Sequence, residues 1–328
     1  MVISTRVERL PIAGRFTIAR GSKTEAELLV VEITQRGGAE RGWAESVPYA
    51  RYGETIGSCL AQIEGVAKAA EVDGLDRASL QALLPPGAAR NAVDCALWDL
   101  EAKQSHQRVW RLAGLPPPTP VTTAFTLSLA TPAEMAAAAR LAADRPLLKL
   151  KIGGADDLDR VRAVRDAAPL ARLIVDANEG LDLDTLRRLL PDLHRLGVVL
   201  IEQPLKAGED EDLQGLDTPV PLCADESLHT RAELSDCAQR YACLNIKLDK
   251  TGGLTEAVAL AADARAMGLK LMFGCMVASS LSMAPALLLA GQDDFVDLDG
   301  PLLLAKDRAN GLVYRGSEVG PPPVSLWG

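Results

Sequence analysis

The sequence lacks a long apolar run. None of its apolar stretches reaches the roughly 18 to 20 residues that a helix needs to span a bilayer. Its first residues, MVISTRVERLPIAGRF, also lack the apolar centre of a secretion signal. We therefore expect a cytoplasmic protein that does not associate with a membrane.

The chain has no surplus of positive charge either. Its formal net charge is −9, and no block of five or more like charges stands out. Nucleic-acid binding needs a basic surface, so nucleic acid is not an expected partner. The remaining composition, 328 residues of which 48% are apolar, is that of an ordinary globular protein.

Signatures of two common site types are missing. The six cysteines form no C-x-x-C pair, and the three histidines, His106, His194 and His229, do not cluster. A zinc site needs such clusters, so we expect the cysteines to be small buried apolar side chains in a reducing compartment. The sequence also has no G-x-G-x-x-G, the fingerprint of an open doubly wound sheet that binds a dinucleotide.

The first third of the chain has the pattern of an α+β unit. Residues 1–48 have the composition of antiparallel strands with a glycine turn, and residues 55–113 have apolar residues at helical spacing. The proline-rich segment 115–120 then predicts a stiff linker. We predict a capping domain over residues 1–118, joined by part of the tail 300–328.

The segment from 119 to 299 has a different pattern, in which short apolar runs alternate with helical stretches such as Leu254–Met267. Alternating β and α elements predict parallel strands. Eight such units predict a closed (β/α)₈ barrel rather than an open sheet. The eight runs are 121–129, 146–152, 171–178, 197–204, 221–227, 243–250, 269–275 and 294–299.

Charged residues follow the apolar part of successive strand runs. From Lys151 to Lys247 they stand 22 to 26 residues apart, about the length of one βα unit. We expect them at one height near the C-terminal mouth of the barrel, where barrel enzymes build their active sites. Residues two apart on a strand share a face, so pairs such as Lys149 and Lys151 point inward together. The set is Lys149, Lys151, Asp176, Glu202, Asp225, Lys247, Asp297 and Asp299.

Three of these residues, Asp176, Glu202 and Asp225, lie on adjacent predicted strands. Carboxylates brought close together repel one another unless a positive charge compensates them. A hard divalent cation does so, and all-oxygen ligands suit Mg²⁺. We therefore predict that the three residues bind one Mg²⁺ per subunit. The alternative is that each carboxylate caps the helix that follows its strand.

Lysines flank the three carboxylates on both sides. Lys151 and Lys247 would face each other across the metal, with one amine on each face of a chelated substrate. A lysine can act as a general base when nearby positive charge lowers its pKa, and here the metal and Lys149 supply that charge. Two opposed bases predict racemisation or epimerisation beside a carboxylate. The alternative is that these lysines only form salt bridges with the same carboxylates.

The combined motifs resemble the muconate-lactonising subgroup of the enolase superfamily, over nearly the whole chain. The resemblance implies a capped barrel, an acid/base pair at Lys151 and Lys247, and carboxylates that bind Mg²⁺. The motifs that carry it are Lys149-Leu-Lys151, Asp176-Ala-Asn178, Glu202-Gln-Pro204, Asp225-Glu-Ser227 and Asn245-Ile-Lys247-Leu-Asp249-Lys250.

A narrower resemblance concerns the substrate. Asp297-Leu-Asp299 is similar to an element of dipeptide epimerases that holds the ammonium group of the dipeptide. Residues 18–23, which include Arg20 and Lys23, and residues 48–53 resemble two cap loops of the L-Ala-D/L-Glu members. The resemblance implies that a basic residue of the first loop binds the glutamate side chain. The alternative for Lys23 is an exposed charge with no ligand. Further walls of the substrate pocket are expected at Thr126, Cys275 and Met276.

Several other functions fit parts of the pattern. A cycloisomerase, an N-acylamino acid racemase or an o-succinylbenzoate synthase of the same subgroup would use the lysines and the metal but would not need two carboxylates facing an ammonium. A sugar-acid dehydratase would need a histidine near the seventh strand, where none falls. A Schiff-base aldolase also uses barrel lysines but does not need the three carboxylates. A binding protein on an enzyme scaffold would show no turnover.

Overall fold

The chain begins with a three-stranded antiparallel sheet, which confirms the predicted meander. The structure is a computed structural model that describes residues 1–154 and 157–328, apart from the side chains of residues 71–73. The strands are β1 (Val2–Ile18), β2 (Gly21–Thr34) and β3 (Arg41–Ser46). β2 lies in the centre of the sheet, and its apolar residues 28–31 are fully buried.

Four helices follow, and one of them packs against the sheet. Helix α3 is buried along almost its whole length and contacts β3 and β2. The closest approach is at Gly42, where an added Cβ would lie 2.1 Å from the carbonyl oxygen of Ala96. Only a glycine fits between this strand and this helix. The helices are α1 (Ile56–Asp73), α2 (Arg77–Leu83), α3 (Ala88–Ser105) and α4 (Val109–Leu112).

The second part of the chain forms the predicted barrel. After a short strand β4 (Val121–Thr122), eight parallel strands lie side by side in the order of the sequence. A backbone hydrogen bond of 2.7 Å from Ala124 N to Val296 O brings the last strand back to the first. The barrel strands are β5 (Phe125–Leu127), β6 (Leu147–Lys151), β7 (Arg172–Asp176), β8 (Val198–Glu202), β9 (Leu222–Ala224), β10 (Cys243–Ile246), β11 (Lys270–Gly274) and β12 (Phe295–Asp297).

Helices connect these strands. The first begins at a capping box, in which Thr131 and Glu134 each bond the other's backbone N–H, with Pro132 in the first turn. The crossover from β8 to β9 is a loop that contains the 3₁₀ turn Glu211–Leu213. The helices are α5 (Pro132–Leu141), α6 (Asp157–Ala167), α7 (Leu183–Arg195), α8 (Leu234–Ala238), α9 (Leu248–Thr251), α10 (Leu254–Ala266), α11 (Ser280–Leu287) and α12 (Gly300–Leu303).

An apolar layer fills the N-terminal end of the barrel. It takes one side chain from each strand or from the residue just before it, and each of these side chains faces the barrel axis. Two of the six cysteines belong to this layer, and all six thiols are free, as expected. We call this layer the plug. Its members are Ala124, Leu147, Ile174, Leu200, Cys223, Cys243, Met272 and Phe295.

The C-terminal tail returns to the first domain. Two short strands, β13 (Tyr314–Arg315) and β14 (Glu318–Val319), form an antiparallel pair, and β14 also pairs with β4. Beyond them Trp327 is fully buried and donates its indole N–H to the carbonyl oxygen of Cys95 on α3 at 3.2 Å. The tail thus contacts both the start of the barrel segment, at β4, and helix α3 of the first domain. The grouping of the tail with the capping domain and the division at residue 118 stay predictions.

The length and apolar character of the helices can be compared with what a membrane-spanning helix needs. Among the residues that the structure describes, no helix combines the length and the apolar character needed to cross a bilayer. The cytoplasmic location stays a prediction.

The contact at Gly42 predicts a large effect on stability. Gly42→Ala should lower the free energy of unfolding by about 1 to 3 kcal/mol, because the new methyl group overlaps the backbone of α3. Gly65→Ala is the matched control, since Gly65 lies in α1 with open space around its Cβ position. The control should be more stable by about 0.5 to 1 kcal/mol. Urea unfolding of both variants measures the difference, and equal midpoints would contradict the close packing.

Candidate active site

The pairing of neighbouring strands places part of the predicted charged set side by side. Lys151 pairs with Asp176, and Asp176 pairs with Glu202, as predicted. Glu202 pairs with Cys223, so Asp225 lies two residues further along its strand. Cys223 pairs with Cys243, which places Lys247 two residues further again. Asp225 and Lys247 are therefore staggered along the strand register, and because each step is even both still face inward. Such a stagger accompanies the tilt of barrel strands, so the common height near the mouth stays a prediction.

Lys149 lies at the centre of a layer of charged side chains that face the barrel axis. We call it the charged layer, and its members are Lys149, Asp176, Glu202, Asp225 and Asp297. Its Nζ is 2.6 Å from Glu202 Oε2, 2.6 Å from Asp297 Oδ2 and 3.1 Å from Asp176 Oδ2, and the residue is 1% exposed. Burial lowers the pKa of Lys149, but the carboxylates of Asp297, Glu202 and Asp176 outweigh burial and hold it well above its usual value. Lys149 is therefore a fixed positive charge that links three strands.

The two lysines predicted as bases lie on opposite sides of the barrel. Lys151 ends β6 and Lys247 follows β10, and these strands are four positions apart in the eight-stranded sheet. Lys151 Nζ is 2.5 Å from Asp176 Oδ2, and Lys247 Nζ is 2.6 Å from Asp225 Oδ2. Burial lowers the pKa of Lys247, but the carboxylates of Asp225 and Glu202 outweigh burial and hold that pKa well above its usual value. A cation held by the same carboxylates would act in the opposite direction.

The three predicted metal ligands are deeply buried and carry uneven charge. Burial and the neighbouring Asp176 raise the pKa of Glu202 to about 8. Burial acts in the same direction on Asp176 and Asp225, but the lysines beside them lower both pKa values below the usual range. The carboxyl group of Glu202 therefore lacks the charge compensation that the lysines give to Asp176 and Asp225.

The oxygens of this group suit a hard cation. Glu202 Oε2 and Asp225 Oδ1 are buried and accept no hydrogen bond from the described residues, although Lys149 and Lys250 approach them at 2.6 and 2.7 Å as ion pairs. Because lysines take up the carboxylates, no three acidic, histidine or cysteine side chains in the described ranges converge on one cation position. The donor set itself, three carboxylates on adjacent strands, fits Mg²⁺.

Two further residues orient the carboxylates. Asn245 donates its side-chain N–H to Glu202 Oε1 at 2.8 Å. Lys250 is fully buried, contacts both a side-chain oxygen and the carbonyl oxygen of Asp225, and donates to the carbonyl oxygen of Asn245 at 3.0 Å. Both residues belong to the motif Asn245-Ile-Lys247-Leu-Asp249-Lys250, which by itself predicts no role for them. Their signal was the presence of polar residues at the end of a buried strand.

The Asp297 and Asp299 pair lies across the barrel from the carboxylate group. β12 is four positions from β8, which carries Glu202. Asp299 Oδ2 accepts the backbone N–H of Thr126 at 2.6 Å, and Asp297 Oδ1 is 3.5 Å from the Thr126 hydroxyl. Burial and the neighbouring Asp297 raise the pKa of Asp299 to about 7. The pair, with Asp297 already bound to Lys149, has room for one more cationic partner.

A chamber of about 870 Å³ lies above the charged layer. Lys151 and Lys247 reach into it from below, while the capping domain supplies loops from above. Cys275 and Met276 are half-buried in its wall. The predicted residues that line the chamber are Arg20, Lys23, Thr126, Lys149, Lys151, Asp225, Lys247, Cys275, Met276, Asp297 and Asp299. Asp176 and Glu202 lie deeper, beneath its floor.

Two basic residues of the first cap loop have different surroundings. Lys23 is exposed, stands 5.5 Å from the centre of the Tyr49 ring, and has no acidic partner among the described residues. Arg20 is bound to acceptors of the protein, including Glu226 Oε1 at 2.7 Å and the carbonyl oxygen of Asn178 at 2.8 Å. Lys23 is therefore the residue of the two that is available to an anionic group in the chamber.

Three charged residues at the rim had no role predicted from the sequence, although Arg51 belongs to a predicted cap loop and Glu226 to a quoted motif. Arg51 of the second cap loop forms two hydrogen bonds with Glu179, which follows β7. Glu226, next to Asp225, is bound by Arg20. The available signals were weak: an arginine between two tyrosines, and an acid adjacent to a predicted ligand.

The fold and the site define a class of protein: a capped barrel enzyme with two opposed lysines and a carboxylate group suited to a divalent cation. The family models agree. Residues 2–114 match the mandelate racemase / muconate lactonizing enzyme N-terminal domain, and residues 133–296 match the enolase C-terminal domain-like family. The chain belongs to the enolase superfamily.

Curated relatives cover most of the chain. The L-Ala-D/L-Glu epimerase of Escherichia coli K12 is 46% identical over 95% of this chain and 97% of its own. The N-acetyl-D-glutamate racemase of a Pseudoalteromonas species is 48% identical over 88% of this chain and 91% of its own.

Solved structures extend the comparison. An enolase family member from Agrobacterium tumefaciens with homology to dipeptide epimerases, solved with sodium and L-Ala-L-Glu, is 51% identical, with a TM-score of 0.96 and 99% of both chains covered. A dipeptide epimerase from Methylococcus capsulatus, complexed with Mg and L-Arg-D-Lys, is 32% identical, with a TM-score of 0.88 and coverage of 97% of this chain and 96% of its own.

The position of Lys149 predicts a strong dependence of stability on its charge. Lys149→Met should lower the free energy of unfolding by about 3 to 5 kcal/mol, because it leaves buried carboxylates without their common partner. Lys68→Met is the control: Lys68 contacts Glu64 at 2.7 Å, a similar distance, but on an exposed helix face. Its stability should be little changed. Similar urea midpoints for the two variants would contradict the central role of Lys149.

Proposed function

We propose that this protein is a Mg²⁺-dependent dipeptide epimerase that interconverts L-Ala-L-Glu and L-Ala-D-Glu. The observation that carries the proposal is the placement of Lys151 and Lys247 on strands four positions apart, with the carboxylate group between them. An α-carbon held on the barrel axis then has one amine on each face. Relatives with the names of dipeptide epimerases support this assignment.

The charges around the chamber orient a dipeptide. Its C-terminal carboxylate belongs beside Asp176, Glu202 and Asp225, the residues that would hold Mg²⁺. Its ammonium group belongs at the opposite side, beside Asp297 and Asp299 on β12. These two directions cross the line between the lysines, so the α-carbon of the second residue comes to lie between the two amines.

The side chains then move one proton. The neutral amine of one lysine takes the α-proton of the glutamyl residue, and the ammonium group of the other lysine gives a proton to the opposite face. The starting isomer decides which lysine acts first. When bound, Mg²⁺ supplies positive charge beside the carboxylate oxygens, on which negative charge builds as the proton leaves.

Lys23 is the residue that would bind the side-chain carboxylate of the glutamyl residue. It lines the chamber and carries a charge that no acidic side chain of the described residues neutralises. An ammonium group can bind the γ-carboxylate as a point charge, without the two-pronged geometry of arginine. The L-Ala-D/L-Glu substrate in the name of the Escherichia coli relative is consistent with this role.

Deuterium exchange tests the proposal directly. With Mg²⁺ and L-Ala-L-Glu in D₂O, the α-proton signal of glutamate should disappear while L-Ala-D-Glu accumulates, as followed by NMR. Lys151→Ala and Lys247→Ala should each abolish epimerisation and retain the fold, and each variant should exchange at most one isomer. Treatment with EDTA should stop both reactions, and Mg²⁺ should restore them. Epimerisation at near wild-type rate in either lysine variant would reject the two-base reaction.

A second candidate is racemisation of N-acetylglutamate, the activity in the name of the Pseudoalteromonas relative. N-acetylglutamate shares the glutamyl residue and its amide bond with alanylglutamate, but its acetyl group lacks both the ammonium group and one methyl carbon of the alanyl residue. The two substrates therefore differ at the Asp297 and Asp299 pair. Because Asp297 contacts Lys149 and the pKa of Asp299 is about 7, the pair need not carry two negative charges towards the substrate.

Asp299→Asn separates the two candidates. A dipeptide epimerase should lose about tenfold or more in kcat/KM for L-Ala-L-Glu, since an ammonium group loses its carboxylate partner. Turnover of N-acetyl-L-glutamate by the same variant should be unchanged or faster. A wild-type enzyme that turns over only N-acetylglutamate would reject the dipeptide assignment.

A further inference from the structure

Two loops of the capping domain end on two acidic residues of the barrel. The loops are residues 18–23, which form the tip of the hairpin between β1 and β2, and residues 47–53, after β3. Arg51 donates to both carboxylate oxygens of Glu179, at 2.6 and 2.7 Å. Arg20 donates to Glu226 at 2.7 Å and to Glu179 at 3.1 Å. Each arginine thus joins the cap to the rim of the chamber.

The contacts are more enclosed than ordinary surface ion pairs. The side chains of Glu179 and Glu226 are 7% and 1% exposed, whereas those of Arg20 and Arg51 are 27% and 37% exposed. Arg20 also donates to the Tyr49 hydroxyl at 3.2 Å, so the first loop is bound to the second as well as to the barrel. Enclosed, two-pronged arginine–carboxylate contacts hold a defined geometry better than exposed pairs do.

The acceptors lie on a strained turn beside a predicted metal ligand. Asn178 and Glu179 have φ values of 44° and 69°, in the left-handed region that glycine favours. Arg20 donates to the carbonyl oxygen of Asn178 at 2.8 Å, and the N–H of Asn178 donates to Asp176 Oδ1 at 2.9 Å. Hydrogen bonds therefore run from the cap loop through this turn to the floor of the site.

We propose that Arg20, Arg51, Glu179 and Glu226 form a latch that closes the chamber over the dipeptide, with both arginines acting as positioning residues. The proposal rests on the proposed function and deepens it. The latch fixes the loop that carries Lys23, three residues after Arg20, and so sets the charge that recognises the glutamyl side chain. Arg20, predicted from the sequence to bind substrate, acts on the substrate only through that loop.

The first test compares two arginines, each of which is bound to a carboxylate of the protein. Arg51→Ala should raise KM for L-Ala-L-Glu about tenfold with little change in kcat, because the loop is no longer held in its binding position. Arg51→Lys should recover part of the loss, since lysine retains the charge but not the two-pronged contact. The control is Arg265→Ala: Arg265 is 43% exposed and contacts Asp294 at 2.5 Å, beside the N-terminal ends of the last strands. Its kinetics should match the wild type.

A double-mutant cycle tests whether the pair acts as a unit. Glu179→Gly removes the carboxylate while keeping a residue that tolerates the left-handed turn. Arg51→Ala in that background should change KM by less than twofold beyond Glu179→Gly alone. Independent, multiplied effects of the two substitutions would overturn the latch.

The role of Lys23 gives a readout that a merely structural arginine would not move. Loss of Arg51 should cost kcat/KM for L-Ala-L-Glu about tenfold more than for the uncharged dipeptide L-Ala-L-Leu. In a Lys23→Met background the two dipeptides should suffer equally from Arg51→Ala. An equal loss with Lys23 present, or an Arg51→Ala variant with the kinetics of Arg265→Ala, would overturn the proposal. Failure of the proposed function would look different, because the wild-type enzyme would then exchange the α-proton of neither dipeptide.

Discussion

The alternation of side chains along a closed ring of strands governs this molecule. Every second residue of each strand faces the barrel axis, so the interior is built in layers. The plug supplies the lower layer from all eight strands, and the residues two positions later supply Lys149, Asp176, Glu202, Asp225 and Asp297. Apolar residues below and charged residues above follow from the same two-residue repeat. The reactive groups consequently stand on a dry, packed floor.

Charge balance is the second constraint. Several carboxylates and four lysines share a space from which water is nearly excluded, and such groups are costly to bury unless they are paired. Lys149 meets three carboxylates at once, and Lys250 meets Asp225. Lys151 and Lys247 each pair closely with one carboxylate, Asp176 and Asp225 respectively, and both line the chamber. All four lysines are thus paired, and the two proposed bases differ from Lys149 in having fewer carboxylate partners.

Most of the architecture could be predicted from local patterns. Apolar runs at regular intervals define the strands, and charged residues after most of these runs mark the mouth of the barrel, so the eight strands and the approach of Lys151 to Asp176 follow from the sequence. The stagger of Asp225 and Lys247 could not be predicted, because it depends on the tilt of strands in the closed ring. The latch was also out of reach: Arg51 and Glu179 are 128 residues apart, and Arg20 and Glu226 are 206 residues apart. Contacts between loops at such separations leave no periodic signal.

The plug affects how substrate and product reach and leave the chamber. Side chains from all eight strands seal the bottom of the barrel, and in the described part of the chain the lining of the chamber extends towards the cap. In the proposed reaction both stereoisomers therefore pass the same cap loops, so the forward and the reverse directions share one approach to Lys151 and Lys247.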